Sequence, residues 1–367
     1  MREIPFINLG YQTKLVEKEV LKNWKKTIKN SSFVLGQDLI NFETAFSNYT
    51  NIKYSVGVGN GGDALEILLR SIKLNKKSKV FIPVNTFIAT ATSICRAGFE
   101  VKFVDINLED GLLGIDKLSE YKINSIDCIV PVHLFGSMVD VRTIAENYDY
   151  NLKIVEDASQ AHGATYLNKA PGTYSLGASY SFYPGKNLGA FGDGGLINTN
   201  IASINKSIKL LRNYGSNKKY FHEIIGYNSR LDPVQAIVLS EKLKYLDQWN
   251  LMRKKNYEQY FDNLKNLEEV NFLKFSENVQ HSFHLTVIKA KFRNQLSSYL
   301  NNKGINTLIH YPFPLHKTKA FKSYSYKNNE FKNAEKLSSQ ILSLPNYPGL
   351  KSSEIDYICD NISKFYK

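Results

Sequence analysis

The chain has 367 residues, 43 % of them apolar and 22 % charged, with a formal net charge of +13. This composition excludes a disordered tail, a collagen-like chain and a disulfide miniprotein, and the length suits one large domain with a smaller companion. No apolar stretch reaches the roughly 18 residues a membrane helix needs, and Met1-Arg2-Glu3-Ile4-Pro5 lacks the basic-then-apolar layout of a secretory leader. The expectation is a soluble cytoplasmic protein.

The positive charge is spread thinly. Lysines recur beside asparagine and tyrosine, as in Lys25 to Asn30 and Asn217 to Tyr220. A nucleic-acid footprint would cluster them near stacking aromatics; this pattern reads as a solvated surface, or as the mouth of a site for an anionic small molecule. Cys95, Cys128 and Cys359 are odd in number, far apart and mostly in apolar company. They read as buried thiols in a reducing compartment, with no metal site and no disulfide frame.

In chain order, 54–58 is a short β-branched run and 63–72 has helical apolar spacing. Residues 80–83 form the next strand candidate and 86–97 the next helix. Further apolar runs at 100–105, 128–132 and 153–157 are separated by helix-length segments. This alternation predicts an α/β fold with a doubly wound, mostly parallel sheet, whose ligands sit beyond the carboxyl ends of the strands. From about 235 the texture changes. A long helical pattern at 234–255 leads into strand candidates at 270–273 and 284–288 and helices at 293–303 and 352–366. The expected division is a large domain over 1–240 and a smaller α+β domain over 241–367.

Four segments after these runs carry chemistry. Lys186 lies in the glycine-dense loop Ser181-Phe-Tyr-Pro-Gly-Lys-Asn-Leu-Gly-Ala190. Desolvation there would depress its pKa and make the amine a Schiff-base nucleophile, the plain alternative being a surface loop lysine. Asp157 ends an apolar strand, where a carboxylate is costly unless paired with a cation such as a pyridinium nitrogen; a helix cap is the alternative. Gln160, three residues on, could then reach a ring hydroxyl. Gly57-Val-Gly-Asn-Gly-Gly-Asp63 turns from a strand directly into a helix, the geometry of a phosphate cradle, although such turns also occur empty. Asn228 and Arg230 precede an apolar helix and could equally mark an ordinary helix start. An amine, a counter-charge for a ring nitrogen and a phosphate cradle are the parts a pyridoxal 5′-phosphate enzyme needs.

The ordered phrases Asn60-Gly-Gly-Asp-Ala-Leu, Pro83-Val-Asn-Thr-Phe-Ile-Ala-Thr90, Glu156-Asp-Ala-Ser-Gln-Ala-His162, the Lys186 loop, Gly192-Asp-Gly-Gly195, Tyr227-Asn-Ser-Arg-Leu-Asp232 and His310-Tyr-Pro312 resemble the DegT/DnrJ/EryC1/StrS family of nucleotide-sugar aminotransferases. The resemblance runs from Pro5 nearly to the C-terminus. It implies an aspartate-aminotransferase-like, fold type I architecture and a homodimer with shared active sites. It also implies pyridoxal 5′-phosphate, cycling with the pyridoxamine form, as cofactor.

By the same resemblance Lys186 is the catalytic Schiff-base lysine, and Asp157 keeps the ring nitrogen protonated. Gln160 meets the ring hydroxyl and Phe87 stacks on the ring. The amides of Gly61, Gly62 and Asp63, with the Ser181 hydroxyl, hold the phosphate, which Asn228 reaches from the neighbouring subunit. Tyr183, Lys219, Arg230, His310 and Tyr311 are the expected substrate-side residues. Lysine stands where the family's dehydratases have histidine, which favours transamination. The family usually has threonine or another larger residue where Gly62 stands, so a phosphate-holding hydroxyl is missing.

The implied reaction uses L-glutamate as amino donor and a nucleotide-linked keto-sugar as acceptor. The stretch from Asn228 to Asp232, followed by Gln235 and Ala236, is similar to enzymes that aminate C3. The resemblance therefore points to a dTDP-3-keto-6-deoxyhexose. A UDP-linked 3-keto-hexuronate, a dTDP-4-keto-6-deoxyhexose, or a non-catalytic regulator on the same fold are the alternatives.

Overall fold

A computed structural model describes residues 3–148, 151–322, 324, 326 and 330–367. Its centre is a pair of four-stranded sheets that share the segment 153–157. One has the parallel order Glu100–Val104, Lys79–Pro83, Cys128–Ile129, Lys153–Ile154. The other has the order Tyr54–Val58, Gly195–Thr199, Ala178–Ser181, Glu156–Asp157. In that second sheet Gly195–Thr199 runs antiparallel to both neighbours, which accounts for the "mostly" in the expected parallel sheet. The central strands are buried along nearly their whole length, as strands covered by helices on both faces must be.

The expected runs over-reach at their ends. Residues 128–132 give a strand of only Cys128–Ile129, and 153–157 breaks at Val155, where the chain passes from one sheet to the other. The helix expected over 86–97 starts at Ile88, with extended Phe87 as its N-cap. The pattern at 234–255 is two helices, Pro233–Leu243 and Leu246–Leu264, the second set off by a bend at Lys244 and Tyr245. Two helices that the expectations omit, Gly10–Lys29 and Gln37–Thr50, pack near Pro233–Leu243.

The C-terminal part builds an antiparallel sheet ordered Val270–Phe272, Thr286–Ala290, Ile341–Leu344. Helices Arg293–Asn302 and Ser352–Tyr366 cover it, and its apolar cluster takes in Ile4 from the other end of the chain. We propose residues 241–367 as the smaller folding unit. Cys128 and Cys359 are buried thiols; Cys95 is exposed instead, because it lies on the outer side of its helix, 3.8 Å from the Tyr324 hydroxyl. Among the described residues, no helix is long and apolar enough to cross a membrane.

Candidate active site

The carboxyl ends of the central strands open onto a cavity of about 880 Å³. Three of its features are set by short local rules.

The first is the amine. Lys186 follows the strand Ala178–Ser181 in a tight loop, where its N–H donates to the Tyr183 carbonyl at 2.9 Å and Ala190 N–H returns to Phe182 at 2.8 Å. A side chain on Gly189 would lie 2.3 Å from the Pro184 carbonyl oxygen, so the loop closes only with glycine there. Asn187 pins it from below, donating to the Ser282 carbonyl and to Asn250 Oδ1, both at 2.8 Å, while its own Oδ1 meets His284 Nδ1. The Lys186 side chain lines the cavity. Burial lowers its pKa to about 8 against the pull of nearby Asp157, so the neutral amine is far more accessible than in a lysine in water.

The second is the carboxylate. Asp157 is buried at the end of its strand, with Oδ2 accepting from the Thr90 hydroxyl at 2.8 Å and Oδ1 from Ser159 N–H at 3.1 Å. Its neighbour Glu156 points the other way, into the protein. There it accepts from Gly172 N–H and Ser175 Oγ and meets His133 Nε2 at 2.6 Å. Adjacent residues on a strand face opposite sides, so one acid serves the scaffold and the other the cavity.

The third is the cradle. Helix Gly61–Ser71 begins at the rim with Asn60 as its N-cap, whose Oδ1 accepts from Asp63 N–H at 2.8 Å. That bond occupies the Asp63 N–H, one of the amides expected at the phosphate. The N–H groups of Gly61 and Gly62, in the first turn, have no intrahelical partner and stand at the positive end of the helix dipole. A Cβ on Gly61 would lie 2.5 Å from Ser181 Cβ, which places the Ser181 hydroxyl beside these amides.

Phe87, Gln160, Tyr183, His310 and Tyr311 also line the cavity. Gln160 Oε1 accepts from Phe135 N–H at 2.8 Å and its amide donates to the Tyr311 hydroxyl at 3.1 Å. Phe87 is exposed at the mouth, its ring 5.9 Å from that of Tyr311. Burial lowers the pKa of His310 to about 4, leaving it a neutral imidazole bonded through Nδ1 to Ser343 Oγ. Lys219, Asn228 and Arg230 do not line this chain's cavity. Lys219 sits on an exposed hairpin over the Tyr220 ring, and Arg230 Nη1 donates to Asn213 Oδ1 at 2.9 Å. The expectations assign no role to Thr90, Asn187, Arg96 or His284, although Thr90 closes one of the quoted phrases. Only the spatial neighbour each meets gives it a role.

A buried amine and a buried carboxylate face one cavity, with helix amides at its rim, on the fold of a type I pyridoxal phosphate enzyme. The chain belongs to the DegT/DnrJ/EryC1/StrS aminotransferase family, whose model matches residues 14–363. It is 37 % identical to a pleiotropic regulatory protein of Geobacillus stearothermophilus, covering 99 % of each chain. It is 36 % identical to the dTDP-3-amino-3,6-dideoxy-alpha-D-galactopyranose transaminase of Aneurinibacillus thermoaerophilus, again over 99 % of each. The crystal structure of S. venezuelae DesV in complex with a ketimine intermediate superposes with a TM-score of 0.96 at 33 % identity, covering 100 % of this chain and 99 % of that one. The architecture is therefore the aspartate-aminotransferase-like one expected from the sequence.

Proposed function

We propose that the protein is a pyridoxal-5′-phosphate-dependent transaminase that aminates C3 of a nucleotide-linked 3-keto-6-deoxyhexose, with L-glutamate as donor and a dTDP group as carrier. The convergence of Lys186, Asp157 and the Gly61–Gly62 amides on one cavity carries this reading. The chemistry of these residues fits the cofactor: the amine, the carboxylate and the helix amides would each meet a part of the matching kind. When bound, pyridoxal phosphate supplies an electron sink for charge developing at the substrate carbon.

The chain's own residues do the rest. Lys186 Nζ, its pKa lowered by burial, would hold the cofactor and would move a proton to and from the substrate carbon. Asp157, held by Thr90 and Ser159, would keep a proton on the ring nitrogen. Gln160 would meet the ring hydroxyl, Phe87 would lie over the ring, and Gly61, Gly62 and Ser181 would hold the phosphate. Tyr183, His310 and Tyr311 border the sugar.

The remaining cavity wall includes Phe6, Ile7, Leu134, Leu285, Leu308 and Ile309. Among the described lining residues the cations are Lys186 and Arg96, and Arg96 is already paired with Asp63 and Glu66. This apolar stretch of the wall suits the methyl group of a 6-deoxy sugar.

We also propose a homodimer in which the second subunit supplies Asn228 to the phosphate and Lys219 and Arg230 to the nucleotide diphosphate. Their position outside this chain's cavity supports that. So does the exposed apolar hairpin beside them, where Ile225 is 98 % exposed. Three unpaired cysteines accord with a reducing, cytoplasmic location.

The test is the reverse half-reaction. The pyridoxal phosphate form is mixed separately with a dTDP-3-amino-6-deoxyhexose, a dTDP-4-amino-6-deoxyhexose and a UDP-3-amino-hexuronate, and conversion to the pyridoxamine band is followed. Conversion by the first alone is expected. Conversion by the 4-amino sugar alone moves the reaction to C4, and by the UDP sugar alone moves Arg230 to carboxylate recognition. The regulatory relative favours a second reading, which silence with all three sugars and with glutamate would support.

A further inference from the structure

The loop that carries Asn228 and Arg230 is tied, residue by residue, to the helix that begins at the phosphate cradle. Ser229, the residue between them, donates its hydroxyl to Asp63 Oδ2 at 2.7 Å and accepts from Gly59 N–H at 3.0 Å. Tyr227, just before Asn228, donates its hydroxyl to Glu66 Oε1 at 2.6 Å. Asp63 and Glu66 lie three residues apart on helix Gly61–Ser71 and so share a face. Arg96 bridges them, with Nη2 3.1 Å from Asp63 and 2.9 Å from Glu66, and Arg70 also pairs with Glu66.

Both carboxylates are largely withdrawn from water, Glu66 almost completely so. Their hydrogen bonds are charge-assisted and held in a fixed direction. Nothing in the cavity needs them: neither Asp63 nor Glu66 lines it, and the Asp63 amide is occupied by Asn60. Their partners, in contrast, flank Asn228 on both sides. Two side chains that point inward as anchors leave the residue between them pointing outward, and Asn228 is indeed exposed.

We propose that Asp63 and Glu66 are positioning residues for the neighbouring site. Through Ser229 and Tyr227 they set the direction in which Asn228 and Arg230 leave this subunit. The inference rests on the shared-site homodimer proposed above.

Hybrid dimers separate the two ideas. One chain carries Lys186→Ala with an intact loop; the other keeps Lys186 and carries Ser229→Ala, or Tyr227→Phe in a second series. Apo dimers are titrated with pyridoxal phosphate and reduced with borohydride, so that only the Lys186-bearing chain is labelled. The readout is the cofactor concentration at half-labelling.

In the Ser229→Ala and Tyr227→Phe homodimers, half-labelling is expected at about tenfold higher cofactor, the loss of one hydrogen bond to a charged group. In the hybrids the same mutated chain is expected to label at the wild-type concentration, because its site receives Asn228 from an unaltered loop. Hybrids that stay as weak as the homodimers would mean that Ser229 and Tyr227 serve their own cradle, and would overturn the proposal alone. So would homodimers that label like wild type. A Lys186→Ala and Asn228→Ala hybrid that fails to recover overturns the shared site, and the positioning role with it.

Discussion

Thr90 donates its hydroxyl to Asp157 Oδ2 at 2.8 Å, joining the helix Ile88–Ala97 to the strand end that carries the carboxylate. The bond aims the carboxylate, since Oδ1 is held by Ser159 N–H on the other side. Replacing Thr90 by Val removes a buried hydrogen bond to a charged acceptor, worth about 1.5–3 kcal/mol. Cofactor affinity should fall about tenfold or more, with recovery in Thr90→Ser. Titration of the apoprotein with pyridoxal phosphate measures it; equal affinity in Thr90→Val and wild type would show that Asp157 needs no such support.

The amine of Lys186 should titrate near pH 8. Competitive labelling of the apoprotein with acetic anhydride, read by peptide mass, should rise through that pH and level off above it, as burial favours the neutral form. Asp157 acts in the opposite sense, favouring the charged amine. Asp157→Asn should therefore shift the midpoint downwards. An upward shift would contradict the assigned proximity of the two groups.

The adjacent glycines of the cradle should respond with opposite signs. Gly61→Ala forces a Cβ to within 2.5 Å of Ser181 Cβ and displaces the cradle from the serine, so cofactor binding should be largely lost. At Gly62 the nearest atoms to an added Cβ are Asn60 Oδ1 at 3.3 Å and Ser93 Oγ at 3.6 Å, so the Asn60 cap need give by only a few tenths of an ångström while keeping its bond to Asp63 N–H. Gly62→Thr places a hydroxyl at the rim and should tighten pyridoxal phosphate binding severalfold. Parallel titrations of the two variants decide it.

Glu156 is a structural acid. It accepts from Gly172 N–H and Ser175, and faces His133, whose Nδ1 accepts from Val139 N–H and so leaves the proton on Nε2. Glu156→Ala strands these buried donors and should cost about 3–5 kcal/mol of stability. Urea unfolding of the apoprotein reads this directly; a loss below about 1 kcal/mol would mean that water replaces the carboxylate.

The sequence by itself determined the class of fold, the alternation of strands and helices, and the position of each chemical group along the chain. Apolar periodicity is a local signal. So is glycine punctuation at 57–62 and 185–195, and both survive without knowledge of the partners. Family phrases added the roles expected of Lys186 and Asp157. The structure adds the helices Gly10–Lys29 and Gln37–Thr50 and divides the helical pattern at 234–255 into two helices.

Tertiary structure alone decided what each polar group faces. Asp63 was expected in the cradle through its amide, yet Asn60 takes that amide and Ser229, 166 residues away, takes the carboxylate. Thr90 and Asp157 are 67 residues apart, and Gln160 and Tyr311 are 151 apart. The reason is physical. Secondary structure follows from repeating short-range preferences, whereas a buried polar atom takes whichever partner the packing of distant elements brings within hydrogen-bond reach.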